Sequence, residues 1–151
     1  MRRETEEIFR DVQHLYGVPY VSAIHKSLAT QPGLLEWTWH EVAPVFRTGQ
    51  AQEAAWAAAA EIKVPALDPI PFEAVAAWGM TRHDVRAVRA AAETLRRVSP
   101  VNMMFAALIK LRLEGVTPKR ATDTGRLTPW QPPSPPASAP PPMIDVERAD
   151  A

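Results

Sequence analysis

Apolar residues recur at helical spacing along most of the first 116 residues, and this pattern predicts an all-α fold. A spacing of three or four residues gathers apolar side chains on one face of a helix. No segment alternates apolar and polar residues over the length of a strand, and no Asn-Gly or Asp-Gly hairpin signal occurs. The predicted helices cover residues 3–16, 19–30, 32 or 33 to 47, 50–63, 71–78, 81–98 and 99–115.

Proline and glycine mark several boundaries between these helices. Gly17 is expected to end the first helix, and Pro19 to open the second at its first position, where proline is tolerated. Ser99 and Pro100 similarly predict the N-cap and first position of the seventh helix. Pro44 should kink the third helix or end it early, because proline removes an internal hydrogen bond.

The last two predicted helices differ in how many of their faces are apolar. Thr81 and Asp84 match a capping box that begins the sixth helix. The apolar stripe expected to be buried on this helix consists of Val85, Val88, Ala92 and Leu95. The seventh helix is apolar on more than one face, through Val101, Met103, Met104, Phe105, Leu108, Ile109, Leu111 and Leu113. It is therefore predicted to be the central helix of the domain or a subunit interface.

Proline also sets the end of the chain apart, since eight of the 16 prolines lie between Pro129 and Pro142. Residues 128–142 are expected to form extended polyproline II structure, because they cannot pack as a helix or a strand. The nine residues that follow form a short acidic segment, which is expected to be frayed. The predicted division is a helical domain over 1–116 and a Pro-rich extended tail over 117–151.

Composition narrows the possible functions. The 151 residues suit a single domain, and 17 basic residues balance 17 acidic ones, which disfavours a nucleic-acid partner. The chain has no cysteine, which excludes disulfides, thiolate metal sites and cysteine redox chemistry. The four histidines match no metal motif, and glycine-rich nucleotide motifs are missing, so no metal or cofactor is predicted. The N-terminus lacks a signal-peptide pattern and no window suits a membrane span, which predicts a cytoplasmic protein without a membrane partner.

His25 and Asn102 are candidate site residues. His25 lies on a helix with apolar neighbours, where a lone histidine is more often structural. In a cavity, however, its pKa near neutrality would suit a general base. Asn102 is expected in the first turn of an apolar helix. There its amide is either satisfied locally or directed at an anionic ligand beside the free N–H groups of the helix end.

Tryptophan and arginine supply the other candidates. Trp37 and Trp39 flank Thr38 and therefore face different sides of one helix. One of them is predicted in the core, and the other at a pocket or an interface. The sixth helix carries an arginine stripe, which is either a solvated basic face or an access route for an anionic substrate. The stripe consists of Arg82, Arg86, Arg89 and Arg96.

Two stretches, Gly17–Pro44 and Arg96–Gly115, together resemble the repeat unit of the group I 2-haloacid dehalogenases, which act on D- and L-2-haloacids. In this sequence the VPxV turn of that repeat reads Val18-Pro19-Tyr20-Val21. The LAxxP and FLExxW motifs read Leu28-Ala29-Thr30-Gln31-Pro32 and Leu34-Leu35-Glu36-Trp37-Thr38-Trp39. Chains of that family hold two such repeats as a pseudo-dimer. The resemblance therefore implies a homodimer here, with the tail as a remnant of the connection between repeats or an arm around the partner.

The resemblance also implies a reaction and its residues. In the family an aspartate activates a water molecule that displaces halide from C2 directly, and an asparagine from the other repeat holds that water. Asn102 is similar to this asparagine. The aspartate is expected around Ser22–His25, which contains no carboxylate, so His25 is the predicted base. The predicted substrate-binding residues are Ser22, Tyr20, Trp37 and Arg86.

Two functions follow from these residues. The first is a homodimeric 2-haloacid dehalogenase-like hydrolase that acts on a small 2-halocarboxylic acid by direct attack of water. The alternative is a catalytically inactive helical dimer that binds a small carboxylic acid or a protein partner. The spacing of Pro132 and Pro135 in the tail favours a protein partner, because such segments can dock in aromatic grooves.

Overall fold

The structure, a computed structural model, describes residues 2–116 and 130–134. Within these ranges all regular structure is helical, which confirms the predicted all-α fold. The six helices are α1 (Arg2–Tyr16), α2 (Ala23–Leu28), α3 (Leu34–Arg47), α4 (Gln50–Glu61), α5 (Phe72–Ala77) and α6 (Arg82–Leu113). None of these helices combines the length and the apolar character needed to cross a bilayer.

The helix α6 replaces two predicted helices. The prediction that Ser99 and Pro100 begin a new helix is wrong, because α6 runs through both residues to Leu113. The buried residues of α6 form one stripe that continues across Pro100, namely Thr94, Val98, Val101, Phe105 and Leu108. Burial of this stripe on both sides of Pro100 offsets the lost hydrogen bond. Pro44 likewise lies within α3, which continues to Arg47 and buries Phe46 beyond it, so an early end of that helix is also wrong.

The predicted start of the second helix at Pro19 is wrong as well. α2 begins only at Ala23, and Ser22 is its N-cap with an extended backbone. The preceding segment buries Val18 and Val21 against the core while Pro19 stays exposed.

The core lies where α1, α3, α4 and α6 meet. Fully buried side chains of this core include Val12, Leu35, Phe46, Val101 and Phe105. The apolar stripe predicted over 85–95 is not in this core. Val88 is 57% exposed and Leu95 is 48% exposed. Full burial on α6 begins only at Thr94.

Polar side chains join the helices at their ends. Gln52 of α4 is fully buried, and its Nε2 donates to the Leu15 carbonyl at 3.0 Å and to the Phe46 carbonyl at 2.9 Å. These carbonyls lie in the last turns of α1 and α3, where helices leave backbone acceptors without internal partners. Asp11 accepts hydrogen bonds from Trp39 Nε1 at 3.3 Å and from Arg47 Nη2 at 2.8 Å, which joins α1 to α3.

The described part of the Pro-rich tail lies against the helical domain. Residues 130–134 have no helical or strand structure, and Trp130 packs against the core with partial burial. Arg97 Nη1 donates a hydrogen bond to the Ser134 carbonyl. The rest of the predicted tail, with its expected polyproline II structure and acidic end, lies outside the described residues. The division at residue 116 stays a prediction.

Candidate functional site

His25 occupies a closed aromatic cage in the core. Its side chain is fully buried, and its ring centroid lies 4.5 Å from that of Phe105, 5.4 Å from that of Tyr16 and 6.3 Å from that of Trp39. Removal of the ring from water disfavours its charged form and lowers the pKa of His25 to about 4. The imidazole is therefore neutral at pH 7.

The two ring nitrogens of His25 have different surroundings. Nε2 lies 3.3 Å from the Tyr16 hydroxyl, which can donate to it or accept from it. Burial raises the pKa of Tyr16, so this hydroxyl stays protonated. Nδ1 is buried and has no hydrogen-bond partner among the described residues. A neutral imidazole has one donor and one acceptor nitrogen, so the bond to Tyr16 decides whether Nδ1 donates or accepts.

Two further predicted site residues present buried polar atoms without partners in the described chain. These atoms are Ser22 Oγ and Asn102 Oδ1. Ser22 directly precedes α2, and its carbonyl accepts a hydrogen bond from the backbone N–H of His25 at 3.1 Å. Buried polar atoms are nearly always hydrogen-bonded in proteins, and exceptions often mark a site for water or a ligand.

Two contacts, one on either side of Asn102 along α6, join this helix to the segment that carries Ser22 and His25. Arg97 of α6 donates to the Gly17 carbonyl at 3.0 Å, and Phe105 of α6 packs on the ring of His25. Asn102 lies between these two contacts along the helix. The expected position of Asn102 in the first turn of a helix is wrong, however, because it lies in the interior of α6, away from free backbone N–H groups.

The other predicted substrate contacts lie in different surroundings. Tyr20 is partly buried against the core, two residues before Ser22. Trp39 is buried, whereas Trp37 on another face of α3 is 41% exposed, which confirms that only one of the two is in the core. Arg86 lies 16 residues before Asn102 in one helix, a rise of about 24 Å at 1.5 Å per residue. Within one chain it cannot touch a small molecule held by Asn102.

Arg86 belongs instead to an open cavity of about 440 Å³ near the start of α6. Phe72 of α5 and Val85 of α6 supply part of its apolar lining, and the Arg82 guanidinium stacks on the Phe72 ring at 4.2 Å. The predicted role of Arg86 in substrate binding stays a prediction, and it would require a second copy of the chain.

Tyr16 and Phe105 complete the His25 cage but were not predicted as site residues. In the sequence both residues fit apolar helical stripes, and periodicity cannot separate a core position from a position against a polar group. One signal was available for Tyr16, because a tyrosine in a buried stripe needs a partner for its hydroxyl. That requirement pointed to a polar group inside the core.

The unfolding free energy is expected to depend on pH through His25. The ordinary pKa of histidine is 6.5, so His25 in the unfolded chain is protonated below that pH. In the folded protein the pKa of His25 is about 4, so its imidazole stays neutral between pH 6.5 and pH 4. The unfolding free energy is therefore unaffected by this group above pH 6.5 and falls by about 3 kcal/mol as the pH drops to 4.

Urea unfolding at several pH values measures how steeply the unfolding free energy depends on pH in the wild type and in His25→Gln. His83→Gln, an exposed histidine, is the control. Parallel pH curves for wild type and His25→Gln would contradict the assignment.

Comparisons of the chain with models of known protein families, with curated protein sequences and with solved structures find no match. In residues 2–116 and 130–134, no group of three or more histidine, aspartate or glutamate side chains could hold a metal ion. The candidate residues Ser22, His25 and Asn102 supply a hydroxyl, a neutral imidazole and an amide, and the aromatic rings surround His25.

Proposed function

We propose that this chain binds a small carboxylic acid at the His25 site without hydrolysing it, as a protein similar to one repeat of the group I 2-haloacid dehalogenases. One observation carries the proposal. Ser22 Oγ, His25 Nδ1 and Asn102 Oδ1 are buried without partners in the described chain, on segments that pack against each other. A small polar molecule between them would satisfy all three atoms.

The chemistry of these groups suits a carboxylic acid. Ser22 supplies a hydroxyl donor, and His25 Nδ1 carries a proton when the Tyr16 hydroxyl donates to Nε2. The amide of Asn102 can turn to present either its oxygen or its NH₂ group. Two or three such hydrogen bonds stabilise a buried carboxylate. The rings of Phe105 and Tyr16 offer apolar contact for the substituent at C2.

Binding without hydrolysis is favoured because the site has no catalytic carboxylate. The segment from Ser22 to His25 has no acidic residue. Asp11 is a carboxylate that bonds Trp39 of the His25 cage, and it also bonds Arg47 in a link between α1 and α3. Because both hydrogen bonds go to Oδ2 of Asp11, this side chain is engaged in joining the two helices.

A second candidate is the hydrolase itself, with His25 as the base. The observation that favours it is that Nδ1 of His25 has no hydrogen-bond partner among the described residues, so it can accept a proton when Nε2 donates to the Tyr16 hydroxyl. In this reaction Nδ1 takes a proton from water held by Asn102. The water oxygen bonds to C2 as the carbon–halogen bond breaks, giving a 2-hydroxy acid, a halide ion and protonated His25.

Both candidates include the homodimer that the resemblance implies. Exposed apolar side chains on the second half of α6 support it. Met103 is 71% exposed, Leu111 and Leu113 are also exposed, and so is Val116, which follows the helix. These residues suit a contact with a second copy, because interface centres are rich in methionine and other apolar side chains. Sedimentation of the wild type and of Met103→Glu measures the oligomeric state directly.

Calorimetric titration with propionate and 2-chloropropionate, together with a halide-release assay, distinguishes the two candidates. We expect saturable binding of both acids and no halide release. Ser22→Ala should weaken binding about tenfold, because it removes a hydrogen bond to a charged group. Ser27→Ala, an exposed serine on α2, should leave binding unchanged. Halide release that is lost in His25→Gln would instead support the hydrolase, and wild-type protein that neither binds nor turns over either acid would contradict both.

A further inference from the structure

The five described residues of the tail lie in a groove with three distinct contact points. Trp130 lies over Gly49, which precedes α4, and Pro133 lies over Gly17, which follows α1. Arg97 of α6 reaches the end of the segment at Ser134. The groove thus joins three elements that are far apart in the sequence.

Gly49 is required at its position for two separate reasons. Its φ of 81° lies in the left-handed region that side-chain-bearing residues rarely adopt. In addition, a Cβ atom built on Gly49 would lie 2.3 Å from the ring of Trp130. Gly33 precedes α3 with nearly the same backbone angles, φ 77° and ψ −9°, yet a Cβ there meets nothing within 4 Å. Gly49 alone of this pair forms a surface for an indole ring.

Gly17 and Arg97 form the other end of the groove. A Cβ on Gly17 would lie 2.4 Å from the carbonyl oxygen of Pro133. Arg97 Nη1 donates to the Gly17 carbonyl at 3.0 Å and to the Ser134 carbonyl at 2.5 Å, so one guanidinium joins the groove to the segment. The backbone of Arg97 is itself held, because its carbonyl accepts a hydrogen bond from Trp56 Nε1 at 2.9 Å.

These contacts are those of a peptide-recognition site. A tryptophan anchor enters a slot, prolines limit the entropy lost on binding, and an arginine bonds the peptide backbone. We propose that the groove formed by Gly17, Gly49 and Arg97 recognises a Trp-x-Pro-Pro segment, which residues 130–134 of the chain itself supply, and that it accepts the same segment from outside once its own is displaced. The proposal does not depend on acid binding at His25.

Because a tethered segment has an effective concentration in about the millimolar range, its own tail should block the groove against a free peptide. The test uses the full chain with Trp130→Ala and a fluorescent peptide of residues 128–136, followed by fluorescence anisotropy. We expect saturable binding to Trp130→Ala and at least tenfold weaker binding to the wild type. A peptide with alanine in place of its tryptophan should not bind. This last comparison leaves the protein unchanged and so does not depend on the folding of a variant.

The two glycines provide a matched pair of variants in the Trp130→Ala background. Gly49→Val should weaken peptide binding at least tenfold, whereas Gly33→Val, with the same backbone strain, should bind as tightly as Trp130→Ala itself. Circular dichroism checks that both variants are folded. Absence of saturable binding to Trp130→Ala would overturn the proposal, as would equal binding by the Gly49→Val and Gly33→Val variants.

Discussion

Replacement of Phe105 by alanine is expected to lower the free energy of unfolding by about 4 kcal/mol. Phe105 is almost completely buried, and its ring lies 4.5 Å from that of His25, 6.3 Å from that of Phe46 and 6.5 Å from that of Trp39. Truncation removes a ring from the centre of this cluster and leaves a cavity that rigid aromatic neighbours cannot fill. Urea denaturation followed by circular dichroism measures the loss.

Val88→Ala is the matched control for this substitution. Val88 lies on the same helix and is 57% exposed, so its truncation should change stability by less than about 0.5 kcal/mol. In a thermal melt the two variants should differ by roughly 10 °C for a chain of this size. Similar losses for both variants would contradict the packing of α6, which buries Phe105 and leaves Val88 exposed.

Gln52→Leu is expected to cost about 3 kcal/mol. The substitution keeps a side chain of similar size but removes the two hydrogen bonds that Nε2 donates to the carbonyls of Leu15 and Phe46. The Leu15 carbonyl would then lose its side-chain partner inside the protein, which costs about 1–3 kcal/mol. The Phe46 carbonyl would keep its hydrogen bond from the backbone N–H of Gly49 but lose the one from Gln52, which adds about 1 kcal/mol. Thermal and urea unfolding measure the effect.

Gln31→Leu serves as the control because Gln31 is exposed in the turn before α3. Its substitution should leave the unfolding free energy nearly unchanged. A loss below about 0.5 kcal/mol for Gln52→Leu would mean that the last turns of α1 and α3 do not depend on this amide. A glutamine buried this deeply would then have no stabilising role.

The helical elements were largely predictable, because apolar periodicity and glycine stops are local properties. The errors arose where tertiary packing overrides a local signal. Pro100 resembles a helix start in isolation, but the buried residues on both sides, Val98 and Val101, keep α6 continuous. Val88 and Leu95 follow a correct helical period, yet periodicity cannot tell where the neighbouring helices end.

The candidate site was predictable in part. His25 and Asn102 were identified as polar side chains in apolar surroundings, and Ser22 through the resemblance, and all three present unpaired buried atoms within the described chain. The sequence predicts two helices where α6 is continuous, and two separate helices could have brought Arg86 close to Asn102. The continuous helix holds these two residues far apart. Trp130 was also missed, because a proline-rich composition predicts an extended segment without indicating that an aromatic residue anchors it.

The central claim, acid binding at His25, is tested most directly by NMR of the imidazole nitrogens. The chain has four histidines, His14, His25, His40 and His83, and each gives its own ring signals in ¹⁵N-histidine-labelled protein. Titration with 2-chloropropionate at pH 7 should shift the His25 signals saturably and leave those of the other three unchanged. His25 signals that stay fixed at millimolar acid, or that move no more than those of the exposed histidines, would contradict the proposal.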